Sequence, residues 1–307
     1  MSGPLVVEVI RSGARESAHE VDVAVVDAEG RLVASAGDPE QPAAYRSSSK
    51  PIQARAALQA GWTPSDARAL AIACASHNGE PEHIDAVRAV FADAGLDESV
   101  LRCPPDVPMY LPAVMGVHKP APVYHNCSGK HAAMVAACKA SGWPLESYRD
   151  DQHPLQAAVR ALIESLIGPV AGPLVDGCGV PTFVAPLRAL ACGLLAIDGG
   201  DEAAAMRAHP FLVAGSERLD TDLMTAAPHV LIKSGAEGLA CVSVGGLGVS
   251  LKARDGAARA RGPAVMAVLE QLDLIPEALL PQHREPPVLG GGEPVGFLRA
   301  RGTVERA

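Results

Sequence analysis

The apolar positions of this chain change period twice. Residues 5–11 (LVVEVIR), 21–27 (VDVAVVD) and 31–36 are β-branched and partly alternating, which predicts strands. DAEG, between the last two, has tight-turn chemistry and predicts a hairpin. From about residue 50 to 210 alanine and leucine recur at spacings of three and four, the helical period. IDAVRAVFADAGL (84–96) ends on a glycine stop signal, and GKHAAMVAACKASGW (129–143) and PLQAAVRALIESLIG (154–168) predict further helices. After residue 228 strands return in HVLIKSGAEGLACVSV and LGVSLKARD. A helix is expected over 264–275 and a last strand over 294–302, with the proline- and glycine-rich 281–294 as a surface loop.

Strand runs separated from helix runs imply an α+β fold and argue against a doubly wound sheet. The N-terminal hairpin and the C-terminal strands are expected to share one antiparallel sheet, about 1–45 and 228–307. The helical region, about 46–227, would be inserted between them within a single domain spanning 1–307.

Composition narrows the class. The 307 residues are 48% hydrophobic, 20% charged and 3% aromatic, so the chain is globular with an aliphatic, alanine-packed core. The formal charge of -9 argues against a nucleic-acid or anionic-membrane surface. MSGPLVVEVIRSG lacks the basic start, apolar run and small-residue cleavage site of a signal peptide. No apolar stretch reaches membrane-spanning length, since Arg188, Asp198 and Asp201 interrupt the best candidate. Seven cysteines, an odd count without a secretory signal, point to reduced thiols and a cytoplasmic location.

Chemistry concentrates in a few places. In AAYRSSSKPIQARAALQAGW (43–62), Ser47 and Lys50 are three residues apart and share a face if helical. The plain reading is a serine cap beside a surface lysine. The sharper one is a nucleophile beside its base, at a helix start that favours anions. Ser76, in the loop CASHNGE, and Lys233-Ser234-Gly235, on an expected strand, follow in the order found in penicillin-recognising enzymes. SGKH (128–131) is not a phosphate loop: the earlier glycine is missing and His131 replaces the hydroxyl residue. Cys127 and Lys130 stand three apart at a helix start, and the turn DGCGVP (176–181) displays Cys178. Two thiolates and a neutral lysine can bind Zn²⁺ with one position open, although spacing alone reads these cysteines as buried filler. His77, Glu80 and His83 are read as opening a helix and not as a metal cluster. Lys252 is read as a strand-end charge, Cys138 and Cys192 as core, and Gly245, Gly246 and Gly248 as a turn.

Taken together, RSSSKPIQ, ASHNGEPEH, HNCSGKHAAMV, DGCGVPTFVAPL, VAGSERLDTDLM and KSGAEG resemble the asparaginase II family, the class 3 or rhizobial-type L-asparaginases, in order from about residue 5 to 255. The resemblance implies a serine β-lactamase-like, penicillin-binding-protein-like fold, and hydrolysis of L-asparagine to aspartate and ammonia in asparagine catabolism. It implies a cytoplasmic homodimer with a zinc ion beside two Ser–Lys tandems. Carried over by position, the tandems are Ser47 with Lys50 and Ser76 with Lys233. The zinc ligands are Cys127, Lys130 and Cys178, and Arg46, His131 and Asp176 line the substrate pocket. Either serine can be the one that attacks. Two other readings stand beside this one. One is a different serine–lysine amidohydrolase, such as a glutaminase, peptidase or β-lactamase. The other is a non-catalytic member that binds a ligand or senses a metal.

Overall fold

A computed structural model describes residues 3–307, so Met1 and Ser2 of the N-terminal reading lie outside it. Contacts divide the chain into two compact units. One holds residues up to 48, 185–196 and 222–307; the other holds 49–184 and 197–221.

The first unit is built on an antiparallel sheet. Its strands are β1 (Leu5–Arg11), β2 (Ala14–Val26) and β3 (Leu32–Ala36); a short β4 (Pro42–Ala44) follows outside this sheet. The second unit carries β5 (Ala171–Val175) and β6 (Pro181–Pro186). The first resumes with β7 (Leu231–Ser234), β8 (Leu239–Val244), β9 (Leu247–Ala253), β10 (Pro287–Gly290), β11 (Glu293–Arg301) and β12 (Glu305–Arg306). The strand order is β10-β11-β1-β2-β9-β8-β7, and β3 pairs with β2 and β12. N-terminal and C-terminal strands therefore share one sheet, as the hydrophobic pattern predicts. The registers Val7↔Ala300 and Val23↔Leu251 place chain segments more than 200 residues apart side by side.

Val21 and Val23–Val26 are buried without alternation, because β2 is covered on both faces. The helix Leu187–Ile197 lies against the face that presents Gly248 and Ser250. Ser250 Oγ donates to Leu187 O at 2.6 Å, and a Cβ on Gly248 would sit 2.3 Å from Ala191 O. This corrects the sequence boundary, which gave 187–197 to the helical region: the apolar stripe of Leu187, Leu190, Ala191 and Leu194 is buried in the sheet unit. The stretch 281–294 is also more than a loop. Gly291 and Gly292, at φ +61° and +89°, turn β10 back onto β11, so a segment read by composition as surface coil adds a strand to the sheet edge.

The second unit is helical. Its principal helices, numbered in chain order, are α1 (Lys50–Gln59), α2 (Ala67–Ala73), α3 (Pro81–Asp93), α4 (Leu111–Val114), α5 (Ser128–Ser141) and α6 (Pro154–Ile167). Local chemistry fixes their ends. Asp66 caps α2 by accepting from Ala69 N at 2.8 Å, and Gly142 at φ +69° closes α5. His83 Nδ1 accepts from Glu80 N at 3.1 Å, so HNGEPEH opens a helix as expected. The pair β5–β6, which helical periodicity does not foresee, holds out the turn that carries Cys178.

Helix α5 is buried from Ser128 to Cys138, and its small residues let neighbouring backbones approach closely. A Cβ on Gly129 would lie 2.1 Å from Ile72 O and 2.8 Å from Ile72 Cγ1. Alanine is favoured over glycine inside a helix by about 1 kcal/mol. Gly129→Ala is nevertheless expected to destabilise the protein by about 1–3 kcal/mol, because the obstacle is backbone of α2. Urea unfolding of the two proteins checks it. Unchanged or raised stability would show that α2 moves freely.

Candidate active site

The resemblance names ten residues, and each unit holds some of them. Arg46, Ser47 and Lys233 belong to the sheet unit, and the other seven to the helical unit.

In the helical unit, Lys50 opens α1 and is fully buried. Its ammonium donates to Ala75 O at 2.5 Å, Ser76 Oγ at 2.8 Å and Asn126 O at 3.2 Å. Two carbonyls thus fix two of its three N–H directions and leave the third on a serine hydroxyl. Burial pushes the Lys50 ammonium below the ordinary lysine value, and the Lys130 cation pushes the same way against nearby cysteine sulfur. When Lys50 is neutral, its lone pair points where Ser76 Oγ stands. That is the geometry of a base beside a nucleophile.

Ser76 is held from its backbone, with Ser76 N donating to Val213 O at 2.9 Å and Asn78 N to Ala214 O at 2.9 Å. His77 turns to a different partner. Its Nδ1 accepts from Gly79 N, and its Nε2 meets Ser128 Oγ at 2.9 Å. Because Ser128 Oγ donates to Val123 O, the proton of neutral His77 sits on Nε2. Burial keeps His77 well below the ordinary histidine value and lowers His83, so both brace the loop as uncharged rings stacked 5.2 Å apart.

Cys127, Lys130 and Cys178 also meet. Lys130 Nζ donates to Cys178 Sγ at 3.1 Å, and the Cys127 thiol donates to Asn126 Oδ1 at 3.2 Å. The neighbouring Cys127, together with the Lys130 cation, outweighs burial and lowers Cys178 below a normal thiol, while Cys178 and burial raise Cys127. Burial pulls Lys130 down, but the Cys178 and Cys127 sulfurs and Asp176 outweigh it and hold an ammonium. Cys127 directly follows Asn126, whose carbonyl accepts from Lys50, so the sulfur cluster adjoins the Lys50–Ser76 pair.

His131 is buried one residue beyond Lys130. Tyr148 OH accepts from Arg102 N and lies 2.6 Å from His131 Nδ1, so the phenol donates and the imidazole proton sits on Nε2. Burial lowers His131 to about 4, although the Cys178 sulfur opposes the shift. Nε2 has no hydrogen-bond partner of good geometry among the described residues. Asp176 begins the turn: its Oδ1 accepts from Gly177 N at 2.8 Å, and its Oδ2 lies 3.9 Å from Cys178 Sγ.

The donor set suits zinc. A thiolate, a thiol that can ionise and an amine within bonding reach match a soft-to-borderline cation. Among the described residues no three His, Cys, Asp or Glu side chains form a metal-sized group, so Lys130 would have to supply the third donor.

In the sheet unit, Lys233 on β7 is fully buried, and its ammonium donates to Ser234 O at 3.1 Å. Ser48 Oγ donates to Lys233 O at 2.9 Å, tying the serine run to that strand. Sequence reading gave Ser48 no task. Ser47 is half-buried, and its hydroxyl makes no hydrogen bond among the described residues. Arg46 is half-buried in the left-handed region at φ +46°.

A family model described as L-asparaginase II matches residues 7–300. Among solved structures, "Crystal Structure Analysis of Mglu in its glutamate form" is 17% identical with a TM-score of 0.37, covering 83% of this chain and 61% of that one. "Crystal Structure Analysis of Mglu" is 16% identical with a TM-score of 0.35, covering 83% and 67%. The chain thus spans about three-fifths of the length of the first. No curated protein matches the chain. No helix among the described residues is long and apolar enough to cross a membrane.

Proposed function

Because the chain belongs to the L-asparaginase II family, we propose that it hydrolyses the side-chain amide of L-asparagine to L-aspartate and ammonia. The observation that carries the reading is the buried bond from Lys50 Nζ to Ser76 Oγ at 2.8 Å, with the two carbonyls that aim the amine. A serine β-lactamase-like arrangement and a homodimer are part of the same proposal, taken from the resemblance.

An amide needs a nucleophile, a proton for its leaving nitrogen and a stabiliser for the oxyanion. Neutral Lys50 removes the serine proton, and the ammonium that forms is received by Ala75 O and Asn126 O. Serine oxygen bonds to the amide carbon, the C–N bond breaks, and the departing nitrogen takes a proton to leave as ammonia. Water then hydrolyses the acyl-enzyme to aspartate. Ser76 is the serine bonded to Lys50, and we assign it the attack. The resemblance adds Ser47 and Lys233 to the reaction, with Lys233 as proton donor to the leaving nitrogen. Asp176 holds the α-ammonium and Arg46 the α-carboxylate, by charge-assisted hydrogen bonds. His131 offers its Nε2–H to the pocket. Cys127, Lys130 and Cys178 would hold a zinc ion, which when bound supplies a fixed positive charge that orients the substrate or polarises its carbonyl.

The test is turnover of L-asparagine and L-glutamine, read as ammonia release, beside turnover of a chromogenic β-lactam, read as its absorbance change. Turnover of asparagine above the other two is expected. Preference for glutamine or the β-lactam would move the activity to another serine–lysine hydrolase. Binding of asparagine without ammonia release would make the chain a ligand-binding member.

A further inference from the structure

The motif VAGSERLDTDLM has no role in the mechanism above, yet it forms the wall against which the Ser76 loop is built. Val213 O and Ala214 O receive the backbone N–H groups of Ser76 and Asn78. Glu80 returns across the same junction: it accepts from Ser216 N at 2.8 Å, Ser216 Oγ at 2.7 Å and Asn78 Nδ2 at 3.2 Å. That carboxylate is saturated. Asn78 is also fully used, since its Nδ2 donates to Ser216 O at 2.9 Å and its Oδ1 accepts from Arg218 at 2.8 Å.

Arg218 ends the network and is left with a surplus. It is half-buried, and the bond to Asn78 Oδ1 engages one of its five N–H donors. No carboxylate lies within ion-pair distance of it among the described residues. A guanidinium taken partly out of water without a counter-ion is costly, and its fork is shaped for a carboxylate. Its place matters as well. It bonds Asn78, two residues from Ser76, and two residues of chain span at most about 7 Å. That is the scale of a small amino acid.

We propose that Arg218 is a substrate-binding residue that pairs with the α-carboxylate of the amino-acid amide. The inference rests on the asparaginase reading and adds to it a residue for which Arg46 was the sole candidate. Asn78 acts as the spacer that keeps Arg218 from collapsing onto Glu80.

The test removes the carboxylate from the substrate instead of disturbing the site. Asparagine without its α-carboxylate is 3-aminopropanamide, and aspartate without it is β-alanine. Wild type, Arg218→Met and Arg218→Lys are assayed for kcat/KM on L-asparagine and 3-aminopropanamide. The preference for asparagine is expected to fall by roughly 10- to 100-fold in Arg218→Met, the range for a hydrogen-bonded charge, and chiefly through KM. Arg218→Lys should keep part of it. Equal losses on both amides would mean that Arg218 only positions Asn78, and would overturn the proposal, as would an unchanged preference. Calorimetric binding of L-aspartate and β-alanine separates this from failure of the catalytic reading. If neither amide is hydrolysed, the asparaginase reading falls. Arg218 is then judged by whether wild type binds aspartate more tightly than β-alanine and Arg218→Met loses that margin. The absence of such a margin in wild type overturns it.

Discussion

Lys50→Met is expected to lower kcat for ammonia release by about a thousandfold or more, the range in which a positioned base and its nucleophile operate. Methionine keeps the volume and removes the charge, so the fold should survive with a loss of about 1–3 kcal/mol from the orphaned Ala75 and Asn126 carbonyls. Ser76→Ala should match the loss in kcat. Ser47→Ala is the discriminating variant. Ser47 was paired with Lys50 from their spacing, whereas the bond the structure gives Lys50 goes to Ser76. Rapid-quench detection of an acyl-enzyme settles which oxygen carries it. A burst retained in Ser47→Ala and absent in Ser76→Ala fits the assignment here; the reverse pattern would exchange the two serines. If Lys50→Met kept near-normal turnover, Lys50 would be a structural cation and the amidase mechanism would need another base. Lys233→Met combined with Ser76→Ala should cost little more than the worse single change, because groups that act as a unit are non-additive. Fully additive losses would mean that Lys233 works apart from Ser76.

The sheet was legible in the sequence because alternation and β-branching mark strands wherever one face is buried. β2 shows the limit: it is buried on both faces over Val23–Val26, so its hydrophobic run announces a strand but not the helix that covers it. Leu187–Ile197 was misassigned for the same reason, since a helical period says which face is apolar and not what it packs against. β10 was hidden by its own turn chemistry, since glycine and proline dominate that stretch. The site was legible as residue types. Ser–Lys pairing was not, because Lys50 reaches across from α1 to the loop after α2, and no spacing rule encodes that distance. Asn78, Ser216 and Arg218 carried no signal of their own. Only the order of the motifs placed them near the site, and only the hydrogen bonds gave them work. Tyr148, which sets the His131 tautomer from 17 residues along the chain, was equally silent.

Cys178→Ser is expected to abolish zinc binding while wild type takes up about one zinc per chain after soaking, three protein ligands and an open position being enough for one ion. Two accounts of the sulfur cluster compete here. As it stands, Lys130 and Cys178 form a buried ammonium–thiolate pair that satisfies itself, which is a sufficient reason for both residues. Serine would break that pair and leave Lys130 uncompensated, a change that costs about 3–5 kcal/mol in buried pairs. Loss of activity in Cys178→Ser therefore does not by itself argue for a metal. Chelation of wild type separates the accounts, because it leaves every side chain in place. If the cluster holds zinc, chelator-treated protein should keep its thermal midpoint within a few degrees and lose affinity for L-asparagine by tenfold or more, and stoichiometric zinc should restore it. The ammonium–thiolate pair would re-form in the emptied site, which is why the fold should not follow the metal. A ligand set of two sulfurs and one amine should also bind more weakly than four thiolates, so partial occupancy is expected in protein purified without added zinc. Equal zinc in wild type and Cys178→Ser, measured by elemental analysis, would remove Cys178 from the site. Wild type free of metal, with full activity and unchanged affinity, would leave Lys130 and Cys178 as an ion pair that holds the 176–180 turn against α5.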